Sequence, residues 1–227
     1  MRAQRDRFTF LVTLVTFPAP NNMRIFLSIL GLAVFLTACV SPTPTSRSGS
    51  IANQAAAAQK RGDWETAVQL WQQAIDAENV IFTPEFSRPS RLMAVYFYEL
   101  GRSQGVVGRY DEAEKNLLRA FHMDEQTHGP KGMDLVELAR LTHARGDNTK
   151  ALSYFEQVLP HMDEISEADP AGTLALLKEA AEVYDAVGRI GRAAELKAKA
   201  KAFAARHPKA EFPSGYGWTP YKVASAK

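Results

Sequence analysis

Apolar residues recur along most of this chain with the spacing expected of amphipathic helices. From about residue 51 to residue 207, apolar-periodic segments are punctuated by four glycines, Gly62, Gly108, Gly146 and Gly188. Each glycine ends one periodic segment and precedes the next, which is the pattern of paired helices joined by tight turns. The pattern therefore predicts an all-α fold built from helix-turn-helix units.

The segments that follow the first two glycines share one sequence pattern. Residues 62–67 read Gly-Asp-Trp-Glu-Thr-Ala and residues 108–113 read Gly-Arg-Tyr-Asp-Glu-Ala, and a large apolar residue, Trp71 or Leu117, follows one helical turn later. Weaker matches after the other two glycines are Asn148, Ala151, Phe155 and Val158, then Ile190, Ala193, Lys197 and Ala200. An internal repeat of this length indicates a helical array whose units stack on one another.

This unit resembles the tetratricopeptide repeat (TPR), in which a glycine turn joins two antiparallel helices, small residues let them approach, and a large apolar residue fills the gap. The intervals between the glycines exceed the about 34 residues of a standard repeat, and such units are similar to the extended repeats of the kinesin-light-chain type. The resemblance covers residues 51–207 and implies a right-handed superhelical solenoid of about four TPR helix-turn-helix repeats. Lys197 replaces the large apolar residue, as expected where a terminal repeat meets water.

The resemblance also implies a binding face, a concave groove formed by the first helix of each repeat. We expect the first three repeats to offer mainly polar and basic groups with one aromatic, and the fourth to offer acids as well. Such a groove would bind an acidic peptide or a C-terminal carboxylate, because arginine grips carboxylates through two hydrogen bonds. The predicted partner-groove residues are Asn53, Lys60, Tyr98, Arg102, Arg140, His143, Lys178 and Glu182, together with Asp185. The alternative for each of them is an ordinary solvated position on a helix.

A second apolar pattern, near the start of the chain, predicts targeting. Residues 25–38 are apolar or small, follow Arg24, and are fewer than the about 20 residues that span a bilayer. They end in Leu36-Thr37-Ala38, and this tripeptide with the following Cys39 resembles the lipobox of bacterial lipoproteins. The resemblance implies cleavage before Cys39 and lipid attachment to its sulfur. We predict a signal peptide over residues 1–38 and favour Met23 as the true start. The alternative is a soluble protein whose lone cysteine follows a hydrophobic helix.

The residues after Cys39 refine this prediction. Val40 stands where Asp would retain a lipoprotein of the enterobacterial type in the inner membrane, so the resemblance implies an outer-membrane anchor facing the periplasm. Residues 39–50 are predicted to be the lipidated cysteine and a flexible tether, because they are rich in Pro and Ser and have little to bury. Since Cys39 is the only cysteine, no disulfide is expected.

Charge argues against one class of partner. The full chain carries a net charge of +2, but the predicted leader is basic, so the remaining chain is close to neutral. Nucleic-acid binding requires a clustered basic face. We therefore predict that the protein does not bind nucleic acid.

The last segment, residues 208–227, breaks the helical pattern with prolines and is not predicted to be a fifth repeat. Its aromatic residues are Phe212, Tyr216, Trp218 and Tyr221. We expect the segment to lie back over the last repeat as a cap. The alternative is an exposed arm that binds a partner, because Trp and Tyr anchor interfaces well.

Candidate catalytic and metal-binding residues are few. Residues 122–125 and 161–164 both read His-Met-Asp-Glu, a combination that could ligate a transition metal. However, both copies occupy the same place in their repeats, so shared repeat ancestry explains them. The sequence has no glycine-rich phosphate loop and no His-Glu-x-x-His motif. We predict no enzymatic activity, no metal and no cofactor.

These features together predict a lipid-anchored scaffold that binds envelope proteins or peptides through the concave face. By resemblance, its role would be that of a pilus or secretion pilotin, an outer-membrane assembly factor or an adaptor for cell-wall hydrolases. The alternative function is a self-associating structural lipoprotein, a homo-oligomer with no peptide ligand. A third hypothesis, an enzyme of cell-wall or lipid metabolism, lacks a catalytic constellation.

Overall fold

The computed structural model describes residues 44–79, 90–161, 169–208 and 218–222. These residues form eight α-helices and no strand, in the order α1 (Pro44–Lys60), α2 (Trp64–Asn79), α3 (Arg91–Val106), α4 (Tyr110–Thr127), α5 (Lys131–Ala144), α6 (Asn148–Val158), α7 (Pro170–Ala186) and α8 (Ile190–Arg206). A 3-10 turn, Leu159–His161, follows α6. Consecutive helices pair as four helix-turn-helix repeats, and each repeat packs on the next.

The four glycines close the four helix pairs. Gly62, Gly108, Gly146 and Gly188 have φ angles of 76°, 84°, 89° and 77°, in the left-handed region that costs a residue with a Cβ about 1–2 kcal/mol. After Gly108, the backbone N–H of Arg109 donates to the Gln104 carbonyl at 2.9 Å, which satisfies a carbonyl at the end of α3. The predicted glycine turns are therefore confirmed.

The small and large apolar positions of the repeat form the core. The alanines that follow the glycine turns are buried, and Trp71, Leu117 and Phe155 are each at most 3% exposed. In the fourth repeat Lys197 is exposed, and its Nζ lies 2.7 Å from Asp185 Oδ2. The terminal repeat thus presents an ion pair to water at the position where the inner repeats bury a large side chain.

Helix α1 begins earlier than the sequence suggests. It starts at Pro44, so the prediction of a flexible tether extending to residue 50 is wrong for residues 44–50. Proline is well tolerated in a first helical turn, because its missing N–H is not needed there. Ser48 is buried, and its Oγ donates to Glu78 Oε2 of α2 at 2.6 Å, which fixes the start of α1 to its partner helix.

The predictions for the first part of the chain concern residues that the structure does not describe. Cys39 and the signal peptide over residues 1–38 lie outside the described residues, as do residues 40–43. The lipid anchor therefore stays a prediction. Among the helices that the structure describes, none is both long and apolar enough to cross a bilayer.

Helices α4 and α5 meet at a buried pair of carboxyl groups. Asp124 is 7% exposed and Asp134 is 2% exposed, and the two side chains are hydrogen-bonded to each other. Burial first, and then the charge of Asp124, raises the pKa of Asp134 from 3.8 to about 8. At neutral pH the Asp134 carboxyl group therefore stays protonated and donates a hydrogen bond to Asp124. This bond joins the second repeat to the third.

Candidate functional site: the groove across α3, α5 and α7

The described part of the C-terminal tail, Trp218–Lys222, lies on the first helices of the second and third repeats. It contacts an inward face that continues onto α7, and we call this face the groove. Its charged and aromatic residues are Tyr98, Glu99 and Arg102 of α3, Glu137 and Arg140 of α5, and Glu179 of α7.

A Glu-x-x-Arg motif occurs twice in the groove. Glu99 and Arg102 precede Gly108 by the same distances as Glu137 and Arg140 precede Gly146. Three residues apart on a helix, the two members of each motif face one another. Arg102 Nη1 lies 3.1 Å from Glu99 Oε2, and Arg140 Nη1 lies 3.2 Å from Glu137 Oε1. The motif therefore builds two equivalent ion pairs on neighbouring repeats.

The two ion pairs are linked to each other and to α7. Arg102 Nε lies 3.8 Å from Glu137 Oε1, across the boundary between the second and third repeats. Arg140 donates to Glu179 through Nε at 2.8 Å and through Nη2 at 3.4 Å. Two arginines thus alternate with three glutamates across three helices. If all five are ionised, this set carries one net negative charge.

Both arginines are charged although each is only 4% exposed. Burial opposes the charge of Arg102, but Glu137 and Glu99 outweigh it and raise its pKa. Burial likewise opposes the charge of Arg140, and Glu137 and Glu179 raise its pKa. Burying an ion pair is favourable only when further hydrogen bonds satisfy its remaining donors and acceptors. Here the tail supplies three such hydrogen bonds.

Within the described part of the tail, Thr219 makes three hydrogen bonds with the groove. It is fully buried, and its hydroxyl accepts a 2.7 Å hydrogen bond from Arg102 Nε and donates a 2.9 Å hydrogen bond to Glu137 Oε1. Its carbonyl accepts from Arg140 Nη2 at 2.7 Å. One residue therefore bonds both buried arginines and one oxygen, Oε1, of the glutamate between them.

Aromatic residues flank Thr219 on both sides. Arg140 Cζ lies 3.7 Å from the centre of the Trp218 ring, a cation–π contact. The Tyr221 ring packs against Gly105, where a Cβ would lie 2.5 Å from Tyr221 Cε1. Burial, and then the neighbouring Glu137 carboxylate, raises the pKa of the Tyr221 hydroxyl well above its usual value, so the ring is neutral. The tail thus fits a notch that only a glycine leaves open.

A small cavity lies beside the tail, between the first halves of α5 and α7. Its volume is about 130 Å³, and Trp218 forms part of its wall. The rest of its lining is mostly apolar and includes Tyr98, Met133, Val136 and Leu176. Because a residue of the tail lines this cavity, its shape depends on the tail being in place.

Comparisons with known proteins identify the architecture. No protein-family model matches the chain, and no curated protein matches it. A kinesin-light-chain-type protein of Podosopora anserina with nearly identical TPR-like repeats has 26% identity and a TM-score of 0.57, covering 74% of this chain and 79% of that one. BtubC (BKLC) from P. vanneervenii has 19% identity and a TM-score of 0.66, covering 82% and 71%. This is a TPR-type protein.

A third solved structure, MamA, shares the TPR-type fold. Its identity to this chain is 14% and its TM-score is 0.54, over 71% of this chain and 81% of that one. In TPR terms, α1, α3, α5 and α7 are the first helices of the four repeats, and the groove lies on the last three of them. The TPR architecture is that of a protein-interaction scaffold, and here its inner face holds a segment of the chain itself.

The predicted basic character of the TPR groove needs correction. Arg102 and Arg140 do lie in the groove, but each is buried and bonded to glutamates and to Thr219. The sequence analysis selected Arg102 and Arg140 but missed the three glutamates that bond them, Glu99, Glu137 and Glu179. All three glutamates stand at the same distance before a glycine turn, Gly108, Gly146 or Gly188, and this common distance was the signal that could have found them.

The other predicted groove residues do not belong to this buried cluster, except Tyr98, whose ring lies 5.4 Å from Arg102 Cζ. His143 is partly buried, with Nδ1 2.7 Å from Asn148 Oδ1 and Nε2 3.9 Å from Glu182 Oε2. The solvent-exposed members of the predicted set are Asn53, Lys60, Lys178, Glu182 and Asp185. The structure therefore brings together three of the nine.

The predicted position of the tail is corrected as well. Trp218–Lys222 lies back on the solenoid, but its hydrogen bonds reach α3, α4 and α5, and none of those described reaches the last repeat. Trp218 alone also packs against the apolar cluster of the C-terminal helices. Phe212 and Tyr216 lie outside the described residues.

The histidine-carboxylate motif of α4 is a surface pair. His122 Nδ1 lies 3.9 Å from Glu125 Oε2, and both side chains are more than half exposed. Within the described ranges, no three His, Cys, Asp or Glu residues are grouped so as to hold a metal ion. Most of the second copy, residues 162–164, lies outside those ranges.

Proposed function

We propose that this TPR protein is a lipid-anchored scaffold of the bacterial envelope that binds partner proteins through its groove. The observation that supports groove binding is the fully buried Thr219, which three hydrogen bonds with α3 and α5 hold in place. A face that binds a short segment of its own chain through specific contacts has the shape and the polar groups to bind a segment of another protein.

The proposed anchor rests on the residues around Cys39. Its thiol follows an apolar stretch of signal-peptide length and the tripeptide Leu36-Thr37-Ala38. Two or more acyl chains hold a protein stably on a bilayer, because each buried methylene contributes about 0.8 kcal/mol. Val40 supports sorting to the outer membrane, with the TPR domain in the periplasm. Envelope assembly would then be the process that the scaffold serves.

The test of the scaffold is affinity purification of the full-length protein from crosslinked cell envelopes, with partners identified by mass spectrometry. Four forms are compared: wild type, Cys39→Ser, Arg102→Ala/Arg140→Ala and Arg109→Ala/Arg145→Ala. Arg109 and Arg145 are about half exposed, so their double variant is the matched control for charge. One or two stoichiometric partners that depend on Cys39 and on the buried arginines would support the proposal.

A second measurement tests the anchor itself. The wild-type protein from cells grown with an alkyne fatty acid should carry the alkyne label and should sediment with outer membranes on a density gradient. Cys39→Ser should lose both properties. Labelled protein that sediments with inner membranes would contradict the location and leave the anchor intact.

The self-associating alternative is favoured by one observation, namely that the groove is already filled by the chain's own tail. Light scattering of the purified protein separates the two functions. A monomer that recovers other envelope proteins fits the scaffold. A defined oligomer that recovers only itself fits the structural role.

A further inference from the structure

We propose that Trp218–Lys222 is an intramolecular ligand of the groove, and that the external partner presents a segment of the same chemistry: a serine or threonine followed by proline, with an aromatic residue on each side. This inference rests on the proposed scaffold function and specifies its ligand class. It also makes partner binding competitive with the tail.

The groove recognises the tail through hydrogen bonds to the Thr219 hydroxyl. A single oxygen accepts from Arg102 Nε and donates to Glu137 Oε1. Only a hydroxyl can do both at one atom, because an amide divides its donor and its acceptor between two atoms. An apolar residue at this position would leave the buried Arg102 and the buried Glu137 without these bonds. A site built to hydrogen-bond a hydroxyl therefore discriminates strongly against a ligand that lacks one.

The flanking residues extend the recognition. Trp218 lies over the Arg140 guanidinium, which is itself fixed by Glu137 and Glu179. Tyr221 enters the notch at Gly105. Two aromatic positions, each facing a different helix, would select a ligand with aromatic residues on both sides of the hydroxyl.

Proline fits the position between Thr219 and Tyr221. The Tyr221 N–H donates to the Thr219 carbonyl at 2.9 Å, so the chain turns tightly at Pro220. Proline fixes one of its own backbone angles and has no N–H that would need a partner. Pro220 is exposed, and its role is therefore to set the backbone so that Tyr221 reaches α3.

The tail has an advantage over any external segment, because it belongs to the same chain as the groove. For short linkers the effective concentration of such a tethered ligand is on the order of millimolar. A free segment of equal affinity therefore occupies the groove only at comparable concentration. Weakening the tail should open the groove to a peptide in solution.

The experiment measures binding of a fluorescent peptide to the full-length protein in detergent, by anisotropy. The peptide has the sequence of residues 216–223, Tyr-Gly-Trp-Thr-Pro-Tyr-Lys-Val. The proteins are wild type, Thr219→Ala, the conservative Thr219→Ser, and a chain that ends at residue 217. Two further peptides carry Ala or Ser in place of the threonine. Circular dichroism checks that each protein keeps its helicity.

The expected result is that the peptide binds Thr219→Ala and the shortened chain at least tenfold more tightly than it binds wild type, while Thr219→Ser behaves like wild type. The alanine peptide should bind at least tenfold more weakly than the threonine peptide, and the serine peptide should stay within a few-fold. If the shortened chain loses its helicity, Thr219→Ala alone decides.

Three outcomes would overturn the inference. The first is equal binding of the peptide to wild type and to Thr219→Ala, and the second is equal binding of the threonine and alanine peptides. The third is a wild-type dimer that becomes a monomer when the tail is removed, since that would place the tail in the groove of a second copy. If the peptide experiment overturns this inference but recovery of envelope partners still depends on Arg102 and Arg140, the scaffold function stands. Normal peptide binding without any recovered envelope partner would instead reject the scaffold function.

Discussion

The Arg140 guanidinium is stacked on the ring of Trp218, with Cζ 3.7 Å from the ring centre, while its nitrogens bond Glu137, Glu179 and the Thr219 carbonyl. A lysine keeps the charge but has neither the planar face nor the fork of donors. Arg140→Lys should therefore lower the free energy of unfolding by about 1–3 kcal/mol, measured by urea denaturation. The half-exposed Arg145→Lys should change it by less than about 0.5 kcal/mol, and equal effects of the two would contradict the stacking argument.

Gly105 should be the most sensitive point of contact with the tail. A Cβ there would lie 2.5 Å from Tyr221 Cε1 and 2.6 Å from Leu141 Cδ1. Gly105→Ala should displace Tyr221 and destabilise the protein by about 1–3 kcal/mol, the usual range for overpacking. Gly49→Ala is the control, because nothing lies within 4 Å of a Cβ there. In α1 it should stabilise by about 0.5–1 kcal/mol. Thermal unfolding and limited proteolysis of the tail report both effects.

The Asp124–Asp134 pair predicts that stability falls as the pH rises. Folding raises the pKa of Asp134 from 3.8 to about 8, so between these values the folded chain holds a proton that the unfolded chain has lost. This group therefore lowers the free energy of unfolding by about 1.4 kcal/mol per pH unit over that interval, and its contribution levels off above pH 8.

Asp134→Asn should remove this dependence, because the amide is neutral at every pH and still donates to Asp124. Urea unfolding at pH 5, 6.5 and 8 should show that the free energy of unfolding of Asp134→Asn changes less with pH than that of wild type. At pH 8 the variant should be more stable than wild type. Asp111→Asn changes an exposed carboxylate and should keep the wild-type slope. An unchanged slope in Asp134→Asn would show that other groups dominate.

The early start of α1 predicts a role for Ser48. Its hydroxyl donates to Glu78 Oε2 at 2.6 Å in the interior, so Ser48→Ala would leave a buried carboxylate without this donor. The free energy of unfolding should drop by about 1.5–3 kcal/mol, the range for hydrogen bonds to charged groups. The exposed Ser50→Ala is the matched control, and it should change stability by less than about 0.5 kcal/mol.

The parts of the fold that the sequence predicts well depend on local chemistry. A glycine at a left-handed turn is required by the backbone itself, so Gly108 and its three counterparts could be recognised without any tertiary information. The alternation of small and large apolar residues is likewise local to each helix pair. These two signals define the repeat and its register.

The parts that the sequence misses depend on contacts between distant residues. Arg102 and Thr219 are 117 positions apart, and no periodicity connects them. The notch for Tyr221 consists of an absent side chain at Gly105, which composition cannot distinguish from any other glycine. The composition of residues 44–50 favours a loop, yet the bond from Ser48 to α2 holds them in a helix.

Thr219 also has a mechanical consequence. In a solenoid each repeat touches only its neighbours, so the angle between neighbours sets the curvature of the whole array. Through one hydroxyl, Thr219 links Arg102 of the second repeat to Glu137 of the third, and thus acts as a cross-brace at that joint. Removing Thr219 from the groove exposes the groove and also frees the joint between the second and third repeats. Occupancy of the groove and stiffness of the array therefore change together.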